Sequence, residues 1–122
     1  MSRLTILLLA ITLFTGCHED ASWSVSITTY SESSAAYTGT EVGVTAMISS
    51  SNTTVWIDAE NWDVISAPGA FVLADYGHRA DFTGLAPGDY VLRYRAWYWI
   101  DDGRYYSQES FVVITVLAAP AG

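Results

Sequence analysis

The chain has 122 residues, of which 51% are hydrophobic and 15% are charged, a composition typical of a globular protein. Thirteen acidic and five basic residues give a formal net charge of −8 at pH 7. Phosphate backbones and anionic lipids both need a basic surface, so this charge excludes nucleic-acid binding and attachment through anionic lipids. A single cysteine also excludes an internal disulfide, so the domain has to be stable without one.

The first predicted element is a secretory signal peptide over residues 1–16. Arg3 supplies a basic start, residues 4–14 are apolar apart from threonine, and the small residues Thr15 and Gly16 precede Cys17. This order of basic, apolar and small residues is typical of a cleaved export signal. The apolar run is shorter than the about 20 residues that a membrane-spanning helix needs.

Residues 13–17, Leu-Phe-Thr-Gly-Cys, resemble the lipobox of bacterial lipoproteins, with Phe14 where that family usually has leucine. The resemblance implies that Cys17 is acylated and anchors the chain to a membrane of the bacterial cell envelope. His18, in place of a retaining aspartate, implies the outer membrane if the cell is Gram-negative. Residues 17–22 are then the lipidated N-terminus and a short connector. The alternative is an ordinary cleaved signal with a cysteine nearby by chance.

The rest of the chain alternates apolar and polar residues at the period of β-strands, with no sustained helical period. Turn signals occur at residues 49–53, 67–69 and 75–77, and Asp102-Gly103 predicts a hairpin with a type I′ turn. The predicted strands cover residues 23–29, 42–48, 54–58, 62–65, 71–73, 80–82, 89–100 and 104–117. Short strands at this spacing predict a single all-β sandwich over residues 23–117, followed by a flexible tail at 118–122.

Residues 85–96, Leu-Ala-Pro-Gly-Asp-Tyr-Val-Leu-Arg-Tyr-Arg-Ala, resemble the tyrosine corner and penultimate strand of immunoglobulin-like domains. Fibronectin type III and PKD-type modules share this pattern, and residues 80–85 and 111–116 resemble the PKD-type version. The Trp-Asp-x-Gly-Asp-Gly segment of PKD modules is absent. The resemblance implies an immunoglobulin-like sandwich of about seven strands. It also implies a bond from the Tyr90 hydroxyl to the backbone near Leu85, and Trp56 as the core tryptophan.

The longest predicted strand carries the candidate binding residues. If Tyr90 faces the core, alternate residues up to Tyr98 do so as well. Arg93, Arg95, Trp97 and Trp99 then face outward. Arginine and tryptophan are enriched at binding hot spots, so this row predicts a binding face that Trp62 could extend, as could Trp56 if it were not in the core. Alternatively, neighbouring loops cover the tryptophans, the arginines stack on them, or a bulge reverses the alternation. Of Tyr105 and Tyr106, one is expected to face solvent.

The residues that could carry catalysis form no recognisable set. His78 is the only histidine after the connector, and no Gly-x-Ser-x-Gly nucleophile segment or His/Cys metal spacing is present. Asp58, Glu60 and Asp63 match no EF-hand calcium loop and are interpreted as a solvated acidic loop. We therefore expect no enzyme, cofactor or metal. The expected function is a non-enzymatic binding or protein-interaction module at the bacterial envelope. The alternative is a carbohydrate-binding module that stacks sugar rings on Trp97, Trp99 and Trp62.

Overall fold

The structure is a computed structural model that describes residues 13–14, 16–19 and 22–120. The described chain forms strands and turns only, and it contains no helix that could cross a membrane. The strands are β1 (Leu13–Phe14), β2 (Gly16–Glu19), β3 (Ser24–Ser31), β4 (Ala35–Tyr37), β5 (Glu41–Ser51), β6 (Val55–Ser66), β7 (Phe71–Asp75), β8 (Arg79–Gly84), β9 (Gly88–Ile100) and β10 (Tyr105–Leu117).

These strands form two sheets that pack face to face. One sheet has the order β2-β3-β5-β8-β7, and the other has the order β1-β10-β9-β6 with β4 parallel to β10. Apart from the short β1, β2 and β4, this is the ABED and GFC strand order of an immunoglobulin constant-type sandwich. The predicted all-β sandwich is confirmed. We call the β10-β9-β6 sheet the GFC sheet.

Strand β9 shows the predicted alternation. Its inward side chains, from Tyr90 through Tyr94 to Ile100, are fully or almost fully buried against the other sheet. Val25, Ile27, Val44 and Phe82 are the main buried residues on the opposing strands. No irregularity interrupts the pairing of β9 with β10, so the period of two holds along the strand.

The hydroxyl of Tyr90 is bonded where the sequence predicts. It donates to the Ala86 carbonyl at 2.8 Å and lies 3.2 Å from the Ala70 carbonyl, while the Ala86 N–H donates to it. Leu85, next to Ala86, is itself half exposed, and its backbone N–H bonds the Ala70 carbonyl. Tyr90 therefore ties the loop before β9 to the loop before β7.

Strand β6 differs from its prediction in two ways. It is one continuous strand rather than two, and its pairing with β9 shifts by one residue between Ile57 and Ala59, which leaves Asp58 as an extra residue. A bulge of this kind moves every later side chain to the opposite face. Trp56 precedes the bulge and pairs with the outward Trp99, so the prediction of Trp56 as the core tryptophan is wrong, and Trp56 is 52% exposed. Trp62 follows the bulge and is the buried tryptophan of β6, at 3% exposure.

The β9–β10 hairpin lies where Asp102-Gly103 predicts it, but the turn type is wrong. A type I′ turn requires positive φ at both central residues. Among the residues that the structure describes, Gly103 has a φ of 88° and Asn52 is the one non-glycine residue with positive φ. The Gly103 N–H bonds the Ile100 carbonyl, and the Ile100 N–H bonds the Arg104 carbonyl. This is the three-residue hairpin in which glycine closes the loop in a left-handed conformation.

At the N-terminus, the described residues differ from the predicted connector. His18 and Glu19 pair with Val25 and Ser24, which makes β2 an edge strand beside β3. Cys17 pairs with Ser26 and is exposed. An edge strand presents unpaired backbone groups, and a neighbouring extended segment satisfies them. Most of the predicted signal segment, and the last two residues of the predicted tail, lie outside the described residues.

Candidate functional site

The outward face of the GFC sheet carries three exposed aromatic side chains side by side. Trp99 on β9 pairs directly with Trp56 on β6 and with Tyr105 on β10. Directly opposed residues of antiparallel strands share a face, and neighbouring strands are about 4.8 Å apart. These side chains are 52%, 45% and 44% exposed for Trp56, Trp99 and Tyr105. We call this set the aromatic row.

Tyr105 is held in place by two contacts. Its ring lies 4.5 Å from the Trp99 ring, centroid to centroid and tilted by 52°, and its hydroxyl donates to Asp58 Oδ2 at 2.7 Å. The hydrogen bond to the carboxylate raises the pKa of Tyr105 above its usual value. Asp58 is the extra residue of the β6 bulge. The bulge therefore places a carboxylate within reach of a side chain two strands away, and the bond fixes the ring before any ligand arrives.

The next two outward side chains along β9, Trp97 and Arg95, are less exposed than Trp99. Trp97 is partly buried, and the Arg95 guanidinium lies 5.5 Å from the centroid of its ring. Arg95 Nε in turn lies 3.7 Å from a carboxylate oxygen of Glu109 on β10. Trp97 is therefore shielded on one side by a cation that already has a carboxylate partner.

Arg93 is bound more tightly. Its Nε and Nη2 donate to the two carboxylate oxygens of Asp63 at 3.1 and 2.7 Å, the paired geometry that guanidinium and carboxylate favour. The hydrogen bond to Asp63 raises the pKa of Arg93. The predicted outward orientation of Arg93 and Arg95 is correct, but both charges are neutralised by cross-strand partners.

Of the predicted binding residues, the structure brings Arg93, Arg95, Trp97 and Trp99 to one face and leaves Trp62 out. Trp62 faces the core, where its ring lies 5.3 Å from the Tyr94 ring. The prediction that Trp62 extends the binding face is therefore wrong, because the bulge at Asp58 turns it inward.

Sequence reasoning weighed Trp56 for this face but assigned it to the core, and it did not include Asp58 and Tyr105. Tyr105 was one of two tyrosines expected near the hairpin, and it is the exposed one, whereas Tyr106 packs against Trp23 and Tyr98. The alternation along β6 assigns Trp56 to one face of the sheet only when the position of the bulge is known.

The two carboxylates nearest to His78 in the sequence, Asp75 and Asp81, have structural partners. Asp75 accepts from the backbone N–H of Trp62 and of Gly77, and Asp81 pairs with Arg79 at 3.5 Å. Within the described ranges, no cluster of three or more His, Cys, Asp or Glu could hold a metal ion. A cleft of about 310 Å³ lies between β4 and β5, lined mainly by apolar side chains, including Tyr37, Val42 and Leu117.

Comparison with known proteins adds no relative: no family model matches the chain, and no curated protein or solved structure matches it.

Proposed function

We propose that the protein is a membrane-anchored lipoprotein of the bacterial cell envelope whose immunoglobulin-like domain is a non-enzymatic protein-interaction module. The observation that carries the binding part is the aromatic row. Three large side chains stand about half exposed on the outer face of the GFC sheet, where they contribute little to the core. Contiguous exposed apolar surface of this kind marks interaction sites in soluble domains.

The surroundings of the aromatic row fit a protein interface. Interfaces combine a central patch of aromatic side chains with a polar rim. Here the polar groups beside the row are Asp58 and, farther along the strands in the same direction, the Arg95–Glu109 pair. Because Tyr105 is already held by Asp58 and Trp99, little side-chain entropy remains to be lost on binding.

A carbohydrate-binding module is the second candidate. Sugar rings stack on exposed aromatic faces, and carboxylates accept hydrogen bonds from sugar hydroxyls. The observation in its favour is the Asp58 carboxylate, which accepts a hydrogen bond from Tyr105 within the aromatic row. Because the rings of Trp99 and Tyr105 are tilted by 52° rather than coplanar, the flat platform that a sugar chain needs is less well formed.

Binding is tested with alanine variants of the full-length protein. We expect Trp99→Ala and Trp56→Ala to abolish specific capture of an envelope partner while lowering stability by no more than about 1 kcal/mol. Tyr76→Ala is the matched control, since Tyr76 is 64% exposed in the β7–β8 turn of the other sheet. Capture is measured by pull-down from envelope extract and on a glycan array. Equal capture by all three variants would contradict the proposal.

The anchor is tested separately. Cys17 is exposed, and stable anchoring needs more than one acyl chain, which the lipoprotein resemblance implies. We expect Cys17→Ser to move the protein from the membrane fraction to the soluble fraction, with the fold unchanged. Persistence of the variant in the membrane fraction would overturn the lipid anchor while leaving the binding proposal untouched.

A further inference from the structure

The arginines of the described chain share one arrangement. Each lies beside a carboxylate, in the pairs Arg79–Asp81, Arg93–Asp63, Arg95–Glu109 and Arg104–Asp102. Two of them also cover aromatic rings. Arg95 covers Trp97, and Arg104 lies 5.6 Å from the Trp23 ring centroid and 6.0 Å from that of Tyr106. Ring, guanidinium and carboxylate therefore occur together twice on this domain.

The aromatic row has two of these three components. It has the ring faces of Trp56 and Trp99 and the carboxylate of Asp58, whose one hydrogen-bond partner among the described residues is the Tyr105 hydroxyl. No cation of the described chain lies over these rings. All described arginines are already paired, and the sequence contains no lysine. The described residues therefore supply no cation at this place, and an arginine of a partner molecule can supply one.

The charge of the protein favours such a partner. The formal net charge is −8, and the described carboxylates without an arginine partner are Glu32, Glu41, Asp58, Glu60, Asp75, Asp89 and Asp101. A surface of this sign attracts basic segments and repels acidic ones. Aromatic faces add to the attraction because their quadrupole is negative at the centre of the ring.

We propose that the partner is a protein with a basic segment, and that an arginine of this segment stacks on Trp56 and Trp99 and bonds the Asp58 carboxylate. This inference rests on the proposed function, because it names the partner chemistry of the same aromatic row. Arginine fits better than lysine, since its flat guanidinium can stack on a ring and pair with a carboxylate at the same time.

The experiment uses the full-length protein and two synthetic peptides. One is acetylated and amidated triarginine, and the other is tricitrulline, which has nearly the same shape without the charge. We expect triarginine, and not tricitrulline, to change the tryptophan fluorescence, and its affinity to fall several-fold as salt screens the charges. Asp58→Asn keeps an acceptor for Tyr105 but removes the charge, so triarginine binding is expected to weaken about fivefold or more.

Asp89→Asn is the matched control. Asp89 lies at the other end of β9, where it accepts from the Thr115 hydroxyl, so this variant loses the same charge far from the aromatic row. Equal weakening in the two variants would overturn the inference, because it would show diffuse attraction only. Binding of a chitohexaose probe that requires Trp99, without triarginine binding, would overturn the basic partner but retain the binding module. Failure of both probes, together with partner capture that survives Trp99→Ala, would overturn the proposed function itself.

Discussion

Trp62→Ala is expected to destabilise the domain by about 3–5 kcal/mol, the usual cost of truncating a buried large aromatic side chain. Trp62 is 3% exposed and belongs to the main core cluster with Tyr94, Leu92 and Ile114. Removing the indole leaves a cavity between the sheets that the rigid strands around it cannot close. Domains of this size have only about 5–15 kcal/mol of total stability, so the variant is expected to melt far below the wild type.

Trp56→Ala provides the control for this prediction on the same strand and with the same chemical change. Trp56 is 52% exposed, so its loss is expected to change the free energy of unfolding by no more than about 1 kcal/mol. Thermal melts followed by circular dichroism measure both variants. An equal loss of stability in the two variants would show that Trp56 faces the core. The bulge would then not lie at Asp58, and Trp56 would not belong to the aromatic row.

Gly84→Ala is expected to cost about 1–3 kcal/mol, because the new methyl group overfills the core. A Cβ at this position would lie 2.6 Å from Val116 Cγ2 and 3.1 Å from Tyr90 Cε1. The Tyr90 ring cannot move aside without breaking its bonds to Ala86 and Ala70. Urea denaturation measures the effect as a lower midpoint with an unchanged slope.

Gly43→Ala is the matched control in the neighbouring strand β5. Its Cβ would approach the Glu32 carboxyl at 3.2 Å and the Arg79 guanidinium at 3.3 Å. Both groups are the ends of flexible side chains, and moving the Glu32 carboxyl gives up one hydrogen bond from the Gly43 N–H, whereas at Gly84 the core side chains themselves would have to shift. We expect a clearly smaller loss of stability than for Gly84→Ala, and an equal loss would show that the contact with Tyr90 and Val116 is not what limits the space.

The sequence by itself determined the fold class and the orientation of β9. The strict alternation from Tyr90 to Ile100 continues without a bulge against β10, so its period of two was sufficient to separate the buried tyrosines from Arg93, Arg95, Trp97 and Trp99. The hydrogen bond from the Tyr90 hydroxyl to the Ala86 carbonyl was expected from the resemblance of residues 85–96 to a tyrosine corner, whereas the contact of the same hydroxyl with the Ala70 carbonyl was not.

Only the tertiary structure decided which tryptophan of β6 is buried and what the binding surface contains. Trp56 and Trp62 are an even number of residues apart and would share a face in a regular strand, but the bulge at Asp58 leaves Trp56 outside and turns Trp62 into the core. The local sequence does not show where the extra residue lies. The tertiary structure also decided which charged side chains are paired. Arg93 and Arg95 are neutralised by Asp63 and Glu109, and Asp58 holds Tyr105 across two strands. These pairs join residues far apart in the chain, so they follow from the register of the strands rather than from local sequence.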